Sequence, residues 1–162
     1  MRRVASFTPM LWIGLLLTAC SVEESVSPLA PAVRHAGTLS MDLRGTASVR
    51  IEAERPLGPL SVTVRVDGET LGLFAPGTEL SGLGTEEPFP EASLTLYTAK
   101  LAAPPYPGGS CGAEPVSIAL SLARRGEAPR VAGALTVYCG EGQFAGTPKG
   151  MLRLSGELPR TP

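Results

Sequence analysis

The sequence has little of the side-chain chemistry that most active sites use. Its 162 residues include one histidine (His35), one tryptophan (Trp12) and three cysteines. No histidine follows His35, so a Ser-His-acid or Cys-His arrangement would have no base in the rest of the chain. We therefore expect no catalytic residues, no cofactor and no metal site.

A surplus of charge of either sign is also missing. The chain has 14 Lys and Arg against 15 Asp and Glu, which is not the basic profile of a nucleic-acid-binding protein. Glycine (19) and proline (16) are frequent instead. A composition of this kind favours short strands joined by tight turns over helices.

Long apolar runs are scarce as well. The run 10–17 is far shorter than the ~20 residues that a membrane-spanning helix needs. It follows the basic pair Arg2-Arg3 and leads into Leu17-Thr18-Ala19-Cys20. Basic residues, a short apolar segment and small residues before a cut site are typical of a secretory signal.

The four residues that end this signal resemble the lipobox of bacterial lipoproteins. The resemblance implies cleavage of residues 1–19, a diacylglycerol thioether on Cys20 and acylation of the new amino terminus. Two or three acyl chains hold a protein on a membrane far more firmly than one. Ser21, not Asp, follows the cysteine, and the resemblance then implies the outer membrane rather than the inner one.

The remaining sequence divides into a tether and one domain. Cleavage would leave a formal charge of 12 − 15 = −3. Residues 20–36 show no sustained period and contain two prolines, so we expect a flexible lipidated tether in which His35 is a solvated residue. Residues 37–162 are predicted to form a single β-domain.

Two cysteines remain once Cys20 is assigned to lipid. Cys111 and Cys139 can pair in only one way, and exported compartments oxidise such pairs. We expect a disulfide, with two separate buried thiols as the alternative.

Alternating apolar residues predict strands in the first half of the domain. Residues 38–44 and 48–54 alternate, either as a hairpin that turns over 45–47 and pairs Met41 with Ile51, or as one long strand bulged at Gly45. Asp67-Gly68 predicts a two-residue type I′ turn with Val64 opposite Leu71.

The second half of the domain begins with a predicted long loop over 75–91. Residues 92–101 then form a strand, with Leu94 and Leu96 inward. Residues 116–123 alternate as a strand that would form a hairpin with 131–139 and bring Cys139 near Cys111, although Pro115 and Gly126 are also helix start and stop signals. Strands over 131–139 and 151–158 complete about eight. We expect an antiparallel β-sandwich of immunoglobulin-like or transthyretin-like form, with a small β-barrel as the alternative.

These features together suggest a non-catalytic, membrane-anchored lipoprotein of the cell envelope. Its β-domain would bind another envelope protein, and the proposed contact face on the strand 131–139 is Ala132, Ala134, Thr136 and Tyr138. The alternative is a domain that binds a small ligand, a lipid or a glycan. A lipid carrier would need a cavity inside the domain, whereas a protein-binding module would need an exposed face.

Overall fold

The computed structural model describes residues 34–53, 58–127 and 129–161. Over these ranges the chain is all β, with one short 3₁₀ turn, Pro90–Ala92. No helix in the described ranges is long and apolar enough to cross a membrane. The strands are β1 Arg34–Met41, β2 Gly45–Ala53, β3 Leu60–Gly68, β4 Thr78–Phe89, β5 Leu94–Ala103, β6 Val116–Arg125, β7 Arg130–Cys139 and β8 Pro148–Glu157.

Each strand pairs antiparallel with the next, and β8 pairs with β1, so the sheet closes into a barrel. The architecture is the expected alternative, whereas the sandwich form is not what the structure shows. Closure occurs along the β1–β8 seam, where Leu39 lies opposite Gly156 and Met41 opposite Leu154. Closing the sheet removes the exposed edges that a sandwich leaves.

Large apolar side chains fill the inside of the barrel. Buried residues alternate with exposed ones along β2 and β3, as expected where one face of a sheet packs and the other meets water. Ile51, Val64, Leu120, Leu135 and Leu152 are among the buried residues of one continuous core cluster. An eight-stranded barrel is just wide enough for its own side chains to fill.

One end of the barrel is covered by loops and carries the disulfide, and we call it the disulfide end. The loop after β3 buries Leu73 and Phe74. The loop after β5 holds it in place, because Ser110 N–H donates to the Gly72 carbonyl at 2.6 Å. Cys111 of that second loop is bonded to Cys139, the last residue of β7, which confirms the predicted disulfide.

The other end, where β1 begins, is polar, and we call it the histidine end. β1 begins at Arg34, so residues 34–36 belong to the barrel and not to the tether. His35 is only 1% exposed. Its prediction as a solvated residue is therefore wrong, and the reason is that strand pairing starts earlier than the apolar alternation.

The hairpin predicted at Asp67-Gly68 is wrong. β3 continues through Gly68, and its partner β4 begins only at Thr78. Val64 lies opposite Leu80, and Leu71 is 66% exposed. Tertiary pairing with β2 extends the strand past the point where the local turn signal would end it.

The long loop predicted over 75–91 is wrong as well. Most of it is β4, the longest strand, and its glycines lie inside the ladder. A Cβ on Gly84 would come within 2.9 Å of the Ala99 Cβ. These glycines therefore allow close packing against β5 and do not mark turns.

The predicted β1–β2 hairpin is confirmed, but its register differs. Leu39 lies opposite Ala47, because the turn occupies residues 42–44. On β5, Tyr97, Ala99 and Leu101 are the buried residues. The prediction that Leu94 and Leu96 point inward is therefore wrong.

The hairpin of β6 and β7 is confirmed in full. Residues 116–125 form a strand, not a helix, and Val116 lies opposite Cys139. Of the last predicted strand, Leu152 and Leu154 are buried on β8, and Leu158 is buried just after it.

Candidate functional site

The predicted site residues fall in three places. Cys20 lies outside the described residues. Cys111 and Cys139 are 7% and 8% exposed, with Cα atoms 5.3 Å apart, so this pair joins two parts of the fold. Ala132, Ala134, Thr136 and Tyr138 lie on the outside of β7, between the buried residues of that strand.

The outward residues in the middle of β6 and β7 are small and uncharged. Ala123 lies opposite Ala132, Ser121 opposite Ala134 and Ala119 opposite Thr136. We call these six residues the small-residue face. These side chains are short, and none of them carries a charge whose hydration shell would have to be removed on binding.

The outer surface on the other side of the barrel is different. β2 carries the ion pair Arg50–Glu52, with Nη2 and Oε1 2.6 Å apart, and β3 carries Arg65–Asp67 at 3.3 Å. All four side chains are well exposed to water. Charged residues also border the small-residue face, since Lys100 lies opposite Ala119 and Arg153 opposite Ala134, but the six residues of the face carry no charge.

A loop of the protein covers Tyr138 and separates it from the small-residue face. The loop between β7 and β8 folds back so that Phe144 meets the Tyr138 ring edge-on, with centroids 5.2 Å apart. The Lys100 ammonium lies 5.1 Å from the Phe144 ring centroid. Of the four predicted residues, three remain on the open face and Tyr138 packs beneath a loop.

The second candidate is a buried chain of hydrogen bonds at the histidine end. His35 Nδ1 lies 3.3 Å from the Leu158 carbonyl oxygen, and Nε2 lies 3.1 Å from the Tyr97 hydroxyl. The same hydroxyl lies 3.5 Å from Glu86 Oε1. One side chain of β1 thus joins the residue that follows β8 to Tyr97 of β5, and Glu86 on the exposed rim of β4 lies next to the Tyr97 hydroxyl.

The strand register explains why these groups meet. Tyr97 lies opposite Glu86 in the β4–β5 ladder, so both point to the inside of the barrel. His35 is bridged to Arg160 across the β1–β8 seam. Arg124 also enters this end of the barrel, and its buried Nε has no hydrogen-bond partner among the described residues.

Burial dominates the acid-base properties of the buried pair. It lowers the pKa of His35 below its ordinary value of 6.5, and Arg124 and Arg160 lower it further, against the opposing effects of the Leu158 hydrogen bond and Glu86. Burial also raises the pKa of Tyr97 above 10.0, and Glu86 adds to that rise. Both groups are therefore held neutral near pH 7.

This arrangement can hold and redirect a proton. Tyr97 is 2% exposed and His35 1%, so a bulky substrate would not reach either ring without movement of the barrel end.

The described residues contain no cluster of three or more His, Cys, Asp or Glu side chains that could hold a metal ion.

The sequence does contain a signal for His35 that the apolar alternation alone overlooks. Alternate residues of β1 lie on one face of the strand, namely His35, Gly37, Leu39 and Met41. Leu39 and Met41 on this face belong to the buried core, and His35 is buried on the same face. A polar residue at the first inward position breaks the apolar pattern, and only its hydrogen-bond partners make its burial tolerable. Those partners are 62 and 123 residues away, which is why local pattern does not reveal them.

Comparison with known proteins adds no family to this description, since no family model, no curated protein and no solved structure matches the chain.

Proposed function

We propose that this is an exported, lipid-anchored protein of the cell envelope, at the outer membrane, whose barrel binds another envelope protein without catalysis. The observation that carries the proposal is the small-residue face, a patch of six short, uncharged side chains on a wall that carries charged residues elsewhere. Residues whose only task is to meet water are usually charged or long and polar. Alanine at four of the six positions of this face, on two paired strands, is better suited to close contact with another protein.

The filled interior supports an external binding surface. The inward side chains of all eight strands pack into one cluster, so the space that a lipid carrier would need is occupied by the protein's own residues. We therefore place the partner outside the barrel and favour protein binding over the alternative, a lipid- or glycan-binding domain.

The anchor would limit where this face can act. A fully extended chain from Cys20 to the start of β1 at Arg34 spans at most about 50 Å. The tether would join the barrel at the histidine end, where β1 begins, and the small-residue face lies on the side of the barrel. The partner would be a protein that lies within that distance of the bilayer.

Site-specific photocrosslinking in intact cells tests the binding proposal. A crosslinker at Ala134 should capture one discrete protein, whereas the same crosslinker at Thr63, on the outer surface of β3, should not. No capture at Ala134, or equal capture at both positions, would argue against the face.

The anchor has a separate test. Metabolic labelling with palmitate should be lost in Cys20→Ser and kept in the neighbouring control Ser21→Ala. Labelling that persists without the Cys20 thiol would exclude the proposed attachment site.

A further inference from the structure

The hydrogen bonds of His35 define which nitrogen carries its proton. A carbonyl oxygen can only accept, so Nδ1, which faces the Leu158 carbonyl at 3.3 Å, must donate. In the neutral ring the other nitrogen, Nε2, then has a free lone pair. The Tyr97 hydroxyl at 3.1 Å must point its hydrogen at that lone pair.

This assignment leaves Glu86 without the tyrosine proton. A phenol has one hydrogen, and the distance from the hydroxyl to Glu86 Oε1, 3.5 Å, is at the limit of a hydrogen bond. While His35 is neutral, the Glu86 carboxylate therefore lies beside the His35–Tyr97 hydrogen bond but does not receive the Tyr97 proton.

Protonation of His35 reverses the direction of the hydrogen bond between His35 and Tyr97. A hydronium ion that transfers its proton to Nε2 becomes water as the N–H bond forms, and both ring nitrogens are then donors, so Nε2 must donate to the Tyr97 oxygen. The hydroxyl hydrogen is then free to rotate toward Glu86, and no covalent bond other than the new N–H is formed. The result is an imidazolium joined to a carboxylate through one phenol.

We propose that His35, Tyr97 and Glu86 form a proton-operated latch at the histidine end of the barrel. In the neutral state the latch joins β1 and β8 to β5 only. In the protonated state it also engages the rim of β4 through Glu86. This inference stands independently of the binding face and of the lipid anchor.

The latch lies where the barrel is least firmly closed. The β1–β8 ladder has three residue pairs plus the bridge between His35 and Arg160, whereas the β2–β3 ladder has nine pairs. The Ala36 N–H also donates to the Pro159 carbonyl at 3.2 Å beside this bridge. A change in charge at His35 therefore acts on the weakest seam of the sheet.

The charged groups around His35 determine the response to acid. Glu86 from β4 favours the imidazolium, while Arg124 from β6 and Arg160 after β8 oppose it. The neighbouring inward residues of β2 and β7, Ile51 and Val131, are apolar and buried. Glu86 is thus the one described carboxylate acting on His35, and its removal should leave the imidazolium with two cations and no counter-charge.

Nuclear magnetic resonance of the full chain, labelled with ¹⁵N-histidine, tests the latch directly, because the sequence contains one histidine. At pH 8 we expect a ring protonated on Nδ1. On acidification we expect His35 to titrate below pH 6.5, with a simultaneous change in the Tyr97 ring signals. A ring protonated on Nε2 at pH 8, or a titration of His35 with no change at Tyr97, would overturn the proposal.

A matched pair of variants tests the role of the carboxylate. Glu86→Gln should shift the His35 titration further toward acid, whereas Glu87→Gln, whose residue points to the outside of the same strand, should leave it within the error of the measurement. Both positions are exposed on the rim, so neither change threatens folding. Equal shifts of the His35 pKa in the two variants would show a general effect of lost negative charge and would contradict the latch. No shift in either variant would show that Glu86 does not take part in the latch.

Discussion

Gly68 lies directly opposite Gly45 at the end of the β2–β3 ladder. A Cβ atom placed on Gly68 would come within 2.7 Å of the Gly45 Cα and would clash with the Arg44 carbonyl oxygen. The two backbones can approach this closely only because neither residue has a side chain.

Gly68→Ala should therefore destabilise the protein by about 1–3 kcal/mol, since the added methyl has no space and the ladder must move. Chemical denaturation of the purified protein measures the change. Gly108→Ala is a suitable control, because its Cβ would meet Tyr106 at an ordinary 3.5 Å. Equal stability of the two variants would contradict the close approach.

The same residue shows why part of the fold could not be predicted from sequence. Asp67-Gly68 is a strong local turn signal, yet the chain uses this glycine for contact between strands. The information that decides between the two uses lies in its partner Gly45 at the start of β2, more than 20 residues earlier. By contrast, the β6–β7 hairpin is predicted correctly, because both strands alternate cleanly and are joined by a short connection.

The disulfide gives a second prediction. Cys111 and Cys139 are 28 residues apart, and for a loop of that size the chain-entropy model gives about 3–4 kcal/mol of stabilisation. Reduction, or the double change Cys111→Ser and Cys139→Ser, should lower the melting temperature clearly. Cys20→Ser is the control, and a melting temperature that does not respond to reductant would show that the covered end holds without the bond.

Lowering the pH should reduce the stability of the folded protein through protonation of His35. Its pKa is lowered by burial in the folded state, so on acidification the unfolded chain takes up a proton first. This contribution to stability is complete above pH 6.5 and is lost as the pH falls from 6.5 through the lower folded value.

The variant His35→Gln isolates this effect, because ionisable groups elsewhere are the same in both proteins. At pH 8 the variant should be less stable by about 1–3 kcal/mol, owing to the altered buried hydrogen bonds. The difference in the free energy of unfolding between the two proteins should then shrink as the pH falls below 6.5. A difference that stays constant from pH 8 to pH 5 would show that His35 does not titrate differently in the folded and unfolded states.

Raising the pH should reduce the stability of the folded protein through ionisation of Tyr97. The pKa of its hydroxyl is raised by burial, so the unfolded chain loses that proton first, and stability present below pH 10.0 is lost as the pH rises through the higher folded value. Tyr97→Phe should remove this dependence, whereas Tyr106→Phe should retain it. Unfolding curves at pH 8 to 11 for the three proteins decide the matter, and a Tyr97→Phe protein with an unchanged alkaline loss would refute the assignment.

The two candidate sites differ in how far sequence could predict them. The small-residue face follows from strict alternation on β7, so three of its residues are visible without a structure. The His35–Tyr97–Glu86 chain is not visible, because its members come from three strands and each alone has an ordinary solvated interpretation. Closure of the barrel brings them together, and closure depends on the β1–β8 seam, which joins the two ends of the domain.

The alternation on β7 leads to a last prediction, which separates the face from the core within two adjacent residues. Leu135 is 0% exposed, so Leu135→Ala should cost about 2–5 kcal/mol through lost burial and the cavity that remains. Ala134 lies on the outside of the same strand, opposite Ser121, and Ala134→Ser should change stability by no more than about 0.5 kcal/mol. Denaturant unfolding of both variants tests the register, because a slip by one residue would exchange the two effects. If Ala134→Ser keeps the fold but Ala134→Arg, with the crosslinker moved to the neighbouring outward position Ala132, loses crosslinking to the partner, the face contributes to binding and not to folding.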